Sequence, residues 1–301
     1  HYTEKGKGGW TGWTWNRDLF PNPQGFLKYL KQNNVKVTLN LHPADGVAAY
    51  EEKYPEMAKD MGVDPATKQT IPWINSDKKF MKNMFKNILA PMEKDGVDFW
   101  WLDWQQGMFD SKMKNLSNTW WINYAFFSDM EQRRETRPML YHRWGGLGNH
   151  RYQVGFSGDA VISWKSLDFQ PYFNSTASNV LYGYWSHDLG GHIGSHSQKG
   201  AKLNKEPWVF DKEYCDIIRE TIRQRYVMAP YIYTMARKGY DDGLSLCRPM
   251  YYDYPENKEA YDFGNEYMFG DDVLVAPVTT PAKDGYAQVR VWLPEGEWYE
   301  W

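Results

Sequence analysis

The sequence predicts an α/β fold, and three observations carry that prediction. Segments with strand and helix patterns alternate along most of the chain, which favours a parallel sheet with helical connections. The chain has 301 residues, enough to bury a large core. After about Phe263 the pattern changes to short Val-rich strands separated by turn residues, which is typical of an antiparallel sheet. We therefore expect a (β/α)8 TIM barrel followed by the start of an antiparallel β-sandwich.

The first half of the chain has a regular alternation of strand and helix patterns. Apolar, β-rich runs predict strands, and apolar residues at helical spacing predict helices. In chain order, we expect a strand at 35–43, a helix at 77–95, a strand at 97–104, a helix at 118–135 and a strand at 138–146.

The second half continues the series. In chain order, we expect a strand at 154–159, a helix at 166–180, a strand at 182–191 and a long helix at 211–239 with a kink at Pro230. We expect a domain boundary near Pro281, with the barrel in residues 1–280 and the start of the sandwich in residues 281–301. The segment WTGWTWNRDLFPNP already has the pattern of a loop from strand to helix, so the first barrel strand is expected to be missing before His1.

The charge balance narrows the range of partners. The formal net charge is −3 and the sequence pI is about 6.2, so the chain lacks the basic surface that binds nucleic acid or an anionic membrane. No apolar run approaches the ~18 residues that a transmembrane helix needs. Cys215 and Cys247 lack the spacing of a metal site, and two cysteines do not form a disulfide framework. We expect neither nucleic acid nor a membrane as a partner.

Aromatic residues are unusually abundant. They make up 17% of the chain, with 16 Trp, 22 Tyr and 14 Phe, and tryptophans cluster in WTGWTW (10–15), WW (100–101) and WW (120–121). One interpretation is a large core that uses Tyr and Trp with partly wet edges. The other is carbohydrate recognition, because the C–H faces of sugar rings pack on aromatic faces and binding pockets are rich in aromatic residues. Composition leaves both interpretations open.

Two carboxylates stand at the ends of predicted strands. Asp103 ends VDFWWLD (97–103) and Asp159 ends VGFSGD (154–159). In a parallel barrel, chemistry is located at the carboxyl ends of the strands, and two carboxylates on different strands suit the cleavage of a glycosidic bond. Either aspartate alone could be a helix cap, an ion-pair partner or a turn residue. Together, with Arg143 upstream and Asp188 downstream of Asp159, they are harder to explain as caps.

The histidines do not predict a metal site. His150, His187, His192 and His196 lie within 47 residues of one another. The segment HDLGGH places two of them five residues apart across a Gly-Gly turn, unlike the ligand pairs that a helix presents. We expect no metal and no cofactor.

Three ordered motifs resemble glycoside hydrolase family 31. They are WWLDWQQG (100–107), RWGGLGNHRYQVGFSGD (143–159) and YWSHDLGGH (184–192). Members of this family cleave α-linked sugars with retention of configuration on a (β/α)8 barrel. The resemblance implies that Asp103 is the nucleophile and Asp159 the acid/base. It also implies that Arg143 and Asp188 bind the sugar.

The chain departs from the family pattern at four points. Trp104 and the two glutamines after it replace the Met-Asn-Glu that is common after the nucleophile, and Phe156 replaces a common Trp before the acid/base motif. Because the first barrel strand is expected to be missing before His1, its sugar-binding aspartate is expected to be missing as well. Only ten residues lie between Gly194 and Lys205, where the family has a helix and a strand that ends in a pocket histidine. His196 is expected to be that histidine.

The resemblance implies a retaining, exo-acting α-glycosidase, in the first place an α-glucosidase. Its substrate would be an oligosaccharide or another α-glycoside, with Trp101, Trp104 and Phe156 as walls of the sugar site. Within the family, α-xylosidase and α-galactosidase activity stay open. A non-catalytic carbohydrate-binding protein is the alternative from another class, although a binding module does not need both Asp103 and Asp159. The sequence does not indicate the oligomeric state.

Overall fold

A computed structural model describes residues 9–103, 107–143, 146–194 and 204–301 of the chain. It divides the chain into two units, His1–Phe156 and Ser157–Trp301. In the described part of the first unit, the helices and strands are α1 (Pro23–Gln32), β1 (Thr38–Leu41), α2 (Tyr54–Met61), α3 (Lys78–Met84), a π-helix (Phe85–Leu89), α4 (Ala90–Asp95), β2 (Phe99–Leu102), α5 (Asn118–Arg133), β3 (Leu140–His142) and β4 (Val154–Phe156). Short 3-10 helices lie at Pro43–Asp45, Pro65–Thr67 and Asn149–Tyr152.

The four strands of the first unit form a parallel sheet. Each strand pairs with the next one along the chain: β1 with β2, β2 with β3 and β3 with β4. This order is that of a (β/α)8 barrel, where a helix connects each strand to its neighbour. The parallel α/β alternation that the sequence predicts is therefore confirmed, with strands a few residues shorter than predicted.

The amino end of β2 is tied to β1 through Asp98. Its Oδ2 accepts a hydrogen bond from the backbone N–H of Val37 at 2.8 Å, and its Oδ1 accepts one from Lys36 Nζ at 3.0 Å. The backbone N–H of Asp98 donates to the carbonyl oxygen of Val37, also at 2.8 Å. Because a shift of one residue would move every side chain to the opposite face, these bonds select one register.

The core of the first unit lies between the sheet and its helices. Alternate residues of a strand point to opposite faces, and Trp100 and Leu102 on β2 are almost fully buried in the same cluster as Phe126 of α5. Burial of each such side chain contributes roughly 2–3 kcal/mol. The indole N–H of Trp100 donates to Glu93 Oε1 at 2.7 Å, so its polar atom is satisfied.

The helix predicted at 77–95 is three helical segments in series. Asp77 caps its start, since Oδ1 accepts hydrogen bonds from the backbone N–H groups of Lys79 and Phe80. Pro91 lies in the first turn of α4. Because proline has no N–H, it cannot donate a backbone hydrogen bond to the preceding helical turn. The π-helix directly before α4 accommodates this irregularity with a wider turn.

In the described part of the second unit, the helices and strands are α6 (Trp164–Thr176), β5 (Trp185–Ser186), α7 (Lys212–Val227), α8 (Ala229–Asp242), β6 (Cys247–Pro249), α9 (Glu259–Asp262), β7 (Tyr267–Phe269) and β8 (Val273–Val275). Short 3-10 helices lie at Ala177–Val180, Pro207–Val209 and Met250–Tyr252. No helix in the described ranges combines the length and the apolar character needed to cross a membrane.

The long helix predicted at 211–239 is interrupted near Pro230, as expected. It forms α7 and α8, which meet at Met228. Pro230 lies in the first turn of α8, where a missing N–H costs no intrahelical hydrogen bond. Proline therefore starts a new helix here instead of distorting a continuous one.

The second unit contains an antiparallel sheet, and two of its three strands lie after Phe263 as predicted. β6 pairs with β7 and β7 with β8, over a small core of Met250 and Met268 against which Trp292 and Trp298 pack. Within residues 281–301 the structure has one isolated bridge, between Lys283 and Tyr286, and no strand. A domain boundary near Pro281 stays a prediction.

Candidate active site

Asp103 follows β2 at the carboxyl end of the parallel sheet. It lies two residues after Trp101 and therefore on the same face of the sheet, opposite the buried face formed by Trp100 and Leu102. Its backbone N–H donates to the carbonyl oxygen of Leu41 at 3.0 Å, which continues the pairing with β1 beyond the last strand residue. Only 7% of Asp103 is exposed.

Side chains from both neighbouring strands reach the Asp103 carboxylate. Arg143, directly after β3, donates from Nε to Oδ1 at 2.6 Å. From the side of β1, Asn40 Nδ2 donates to Oδ2 at 3.1 Å, and His42 Nε2 lies 3.4 Å from the same oxygen. Because an ionised carboxylate is costly to bury without partners, these donors explain how Asp103 is accommodated.

The Phe156 ring packs against the guanidinium of Arg143. The Arg143 guanidinium carbon lies 5.0 Å from the centre of the Phe156 ring, a cation–π distance. Phe156 is 1% exposed and packs against Tyr141 and Trp101, with ring centroids 4.7 and 5.6 Å away. In this unit Phe156 therefore lies beneath the arginine, and the half-buried Trp101 packs beside it.

A buried histidine precedes Arg143 on β3. His142 Nδ1 lies 2.6 Å from the backbone carbonyl oxygen of Arg143. The Nδ2 atoms of Asn123 and Asn149 each lie 3.1 Å from the same His142 nitrogen. Burial lowers the pKa of His142 to about 4, against the opposing effect of the carbonyl groups of Arg143 and Tyr152. The imidazole is therefore neutral at pH 7.

In the second unit, Asp159 and Asp188 lie around His192. His192 Nε2 is 3.6 Å from Asp159 Oδ1, and its Nδ1 is 3.5 Å from Asp188 Oδ2. Asp159 follows Gly158, whose φ of +72° produces the turn that the sequence Ser-Gly-Asp suggests. Both carboxylates are partly exposed, with 36% and 30% of their side chains accessible.

A pocket of about 490 Å³ opens beside Asp188 in the second unit. Its walls include His187, Trp164 and Leu167. Burial lowers the pKa of His187 below its ordinary value, and His187 Nε2 lies 3.1 Å from Asn174 Oδ1. Apart from Asp188, the lining of this pocket is therefore mainly apolar and carries no charged side chain near neutral pH.

The structure brings the sequence-predicted residues into two groups. Asp103, Arg143, Trp101 and Phe156 come together in the first unit, and Asp159 and Asp188 in the second. Trp104 and His196 lie outside the described residues. In the described ranges, no group of three or more His, Cys, Asp or Glu side chains could hold a metal ion.

Sequence reasoning did not identify three neighbours of these carboxylates. Asn40 and His42 are polar residues at alternate positions where the first predicted strand ends, which is the signal that identified Asp103. The sequence indicates His192 only as a candidate metal ligand, although the Gly-Gly turn in HDLGGH folds it back toward Asp188.

Comparison with known proteins gives the family. The sequence pattern described as "Glycosyl hydrolases family 31 TIM-barrel domain" matches residues 1–201 and 192–235, and "Glycosyl hydrolase family 31 C-terminal domain" matches residues 243–301. The chain belongs to glycoside hydrolase family 31. It therefore contains sequence of this family's TIM-barrel domain followed by its C-terminal domain, which confirms the fold class.

The family 31 chain is similar to enzymes with different named substrates. It is 26% identical to an α-xylosidase of Saccharolobus solfataricus, covering 98% of this chain and 45% of the relative. It is 24% identical to human neutral α-glucosidase C, covering 96% of this chain and 37% of the relative. The chain spans less than half the length of these relatives.

Solved structures share the fold of the family 31 chain. A Flavobacterium johnsoniae dextranase complexed with isomaltotriose has a TM-score of 0.74 at 21% identity, covering 92% of this chain and 42% of that one. An α-xylosidase from a soil metagenome, complexed with xylose, has a TM-score of 0.71 at 17% identity, covering 91% and 50%.

Proposed function

We propose that the protein is a retaining α-glycosidase in which Asp103 is the nucleophile and Asp159 the acid/base. One observation carries the proposal: Asp103 is buried at the carboxyl end of β2, with Arg143 and Asn40 donating to its two oxygens. In a barrel of this kind, that end of the sheet is the place where substrates react. Membership of family 31 and the ordered motifs around both aspartates support the assignment.

The proposed reaction has two steps. Asp103 attacks the anomeric carbon and forms a glycosyl ester, while Asp159 donates its proton to the glycosidic oxygen, which leaves with the aglycone. Asp159 then takes a proton from water, and the water oxygen attacks the anomeric carbon and releases Asp103. Two inversions give net retention, and both aspartates return to their starting protonation states.

The surroundings of the two aspartates suit these different roles. Asp103 accepts a hydrogen bond from the buried Arg143 at 2.6 Å, which orients the carboxylate for attack on carbon. Asp159 is more exposed and has His192 as its neighbour. A group that must exchange protons with a leaving oxygen and then with water benefits from such an open position.

The first proposed substrate class is an α-glucoside. Relatives named neutral α-glucosidase C and the dextranase bound to isomaltotriose favour it. The α-xylosidases of Saccharolobus solfataricus and Lactiplantibacillus pentosus, 26% and 25% identical, favour an α-xyloside as the second candidate. Arg143 and Asp188 are proposed to hold sugar hydroxyls, and Trp101 to form part of the wall.

The test is turnover of α-glucosides and α-xylosides, each as the 4-nitrophenyl and as an alkyl glycoside, by the protein and three variants. Asp103→Asn should lose nearly all turnover of both, because the amide cannot form the glycosyl ester. Asp159→Ala should lose far more activity on alkyl than on aryl glycosides, since a nitrophenolate needs little protonation. Asp18→Asn removes an exposed carboxylate of the first unit and should retain wild-type activity.

The chemical course of the reaction gives a second measurement. A 5-fluoro-α-glycosyl fluoride should label a peptide that contains Asp103. Azide should partly rescue Asp159→Ala by displacing Asp103 from the β-glycosyl ester, which gives an α-glycosyl azide. NMR of the first product should detect the α-anomer. A β-anomer as first product would contradict the retaining mechanism, and sugar binding without turnover would favour the non-catalytic alternative.

A further inference from the structure

The three tryptophans of WTGWTW occupy different environments. Trp13 is 2% exposed, donates from its indole N–H to the carbonyl oxygen of Gly46 at 2.9 Å, and stacks on Trp73. Trp15 packs against the core and meets Phe20 edge to face. Trp10 differs, because half of its surface is exposed. Two of these indoles are therefore structural, and the third is accessible to a ligand.

The segment that carries Trp10 is tightly braced. The hydroxyls of Thr11 and Thr14 donate to the two oxygens of the buried Glu51 carboxylate at 2.6 and 2.5 Å. The carbonyl oxygen of Thr11 accepts a hydrogen bond from the backbone N–H of His42 at 3.3 Å. Gly12 has a φ of +82°, and a Cβ there would lie 2.6 Å from the backbone oxygen of Asn40. This segment is thus fixed against the carboxyl end of β1.

The braced segment brings Trp10 close to Asp103. The Trp10 ring meets the His42 ring edge to face at 5.2 Å, and His42 Nε2 lies 3.4 Å from Asp103 Oδ2. One side chain therefore separates the indole from the carboxylate. The exposed Trp10 ring is held in place by the braced segment. A neutral, ring-shaped ligand that binds at the Asp103 carboxylate would therefore also reach this ring.

We propose that Trp10 is a sugar-binding residue, whose indole packs against the pyranose ring of the glycoside that Asp103 attacks. The proposal deepens the proposed function and takes its substrate class from it. Pyranose rings have apolar C–H faces, and burial of such a face on an indole yields both the hydrophobic and the electrostatic part of an aromatic contact. Bracing through Glu51 means that little conformational freedom is lost when the sugar binds.

The test measures binding of D-glucose and D-xylose to the protein by isothermal titration calorimetry and saturation-transfer NMR. Trp10→Ala should weaken binding of at least one sugar about tenfold, the upper range for an aromatic contact. Trp10→Phe should restore part of the affinity, because it retains an aromatic face. Tyr29→Ala is the matched control: Tyr29 is 62% exposed on α1, whose end leads into the amino end of β1, and its loss should leave affinity unchanged.

The outcomes separate this inference from the proposed function. Thermal unfolding of Trp10→Ala and Trp10→Phe verifies that both variants are folded. Wild-type affinity in Trp10→Ala would overturn the role of Trp10, as would the absence of sugar binding by the wild-type protein at millimolar concentration. Binding that depends on Trp10 without any turnover of glycosides would support the inference while contradicting hydrolysis.

Discussion

Replacement of His142 by Gln should remove much of the acid sensitivity of the first unit. Burial lowers the pKa of His142 from 6.5 to about 4. Above pH 6.5 the imidazole is neutral in both the folded and the unfolded chain, so it contributes no pH dependence. Below pH 6.5 the unfolded chain binds a proton that the folded one cannot bind, and the free energy of unfolding falls until the pH reaches about 4.

The size of this effect follows from the pKa difference. Each pH unit in this window changes the free energy of unfolding by about 1.4 kcal/mol, so lowering the pH from 6.5 to 5 should cost about 2 kcal/mol. The measurement is urea unfolding followed by tryptophan fluorescence at about pH 7.5 and pH 5. His142→Gln should lose less stability between these pH values than wild type, by about 2 kcal/mol.

A core variant controls for general destabilisation. Phe126→Leu removes volume from the same core, and should lower the free energy of unfolding by about 1–2 kcal/mol at both pH values without changing the pH dependence. NMR of the ring protons of His142 gives a direct check, since their shifts should not titrate between pH 7.5 and 5. A midpoint near 6.5 in the folded protein, or an unchanged pH dependence in His142→Gln, would refute the reasoning.

Two further predictions concern a thiol and a turn. Burial raises the pKa of Cys247 to about 11, so only about a thousandth of this thiol is ionised at pH 8. Iodoacetamide should therefore modify Cys247 at least tenfold more slowly than Cys215, and mass spectrometry follows both reactions. Equal rates would contradict this explanation. Gly46→Ala should cost about 3 kcal/mol or more in urea unfolding, because Gly46 has a φ of +68° and a Cβ there would lie 2.1 Å from the carbonyl oxygen of Ile71. Gly62 also has a positive φ, +84°, but a Cβ there would meet no atom beyond its chain neighbours closer than 3.9 Å. Gly62→Ala should therefore cost only about 1 kcal/mol, and equal losses of stability in the two variants would exclude the steric explanation for Gly46.

The sequence predicts the parallel strands because their signal is local. Residues 99–102 form an apolar run bounded by Asp98 and Asp103. The period of two in a strand then assigns Trp101 and Asp103 to one face without knowledge of the fold. The helix at 211–239 is equally readable, including its interruption, because Pro230 lacks an N–H wherever it stands. The observed strands are a few residues shorter than the predicted ones, because backbone hydrogen bonds, and not the polarity of the side chains, define where a strand ends.

The neighbours of Asp103 are harder to predict because they depend on pairing. Asn40 and His42 reach the carboxylate only in the register in which Asn40 pairs with Trp101. His142 is also inconspicuous in sequence, because a histidine on a strand does not reveal that its ring faces Asn123 on a helix. Local patterns thus identify the reactive groups, whereas the groups that surround them follow from contacts distant in sequence.

Strand β2 has a carboxylate at each end, and the two constrain efforts to redesign the sugar site. Asp98 is five residues before Asp103, about 16 Å away at the rise of a strand, and its bonds to β1 set which side chains of that strand stand beside Asp103. A library that varies Asn40 and His42 to change sugar preference samples the intended positions only while that register holds. Asp98 should therefore stay constant in such a library, although it touches no residue that the selection targets.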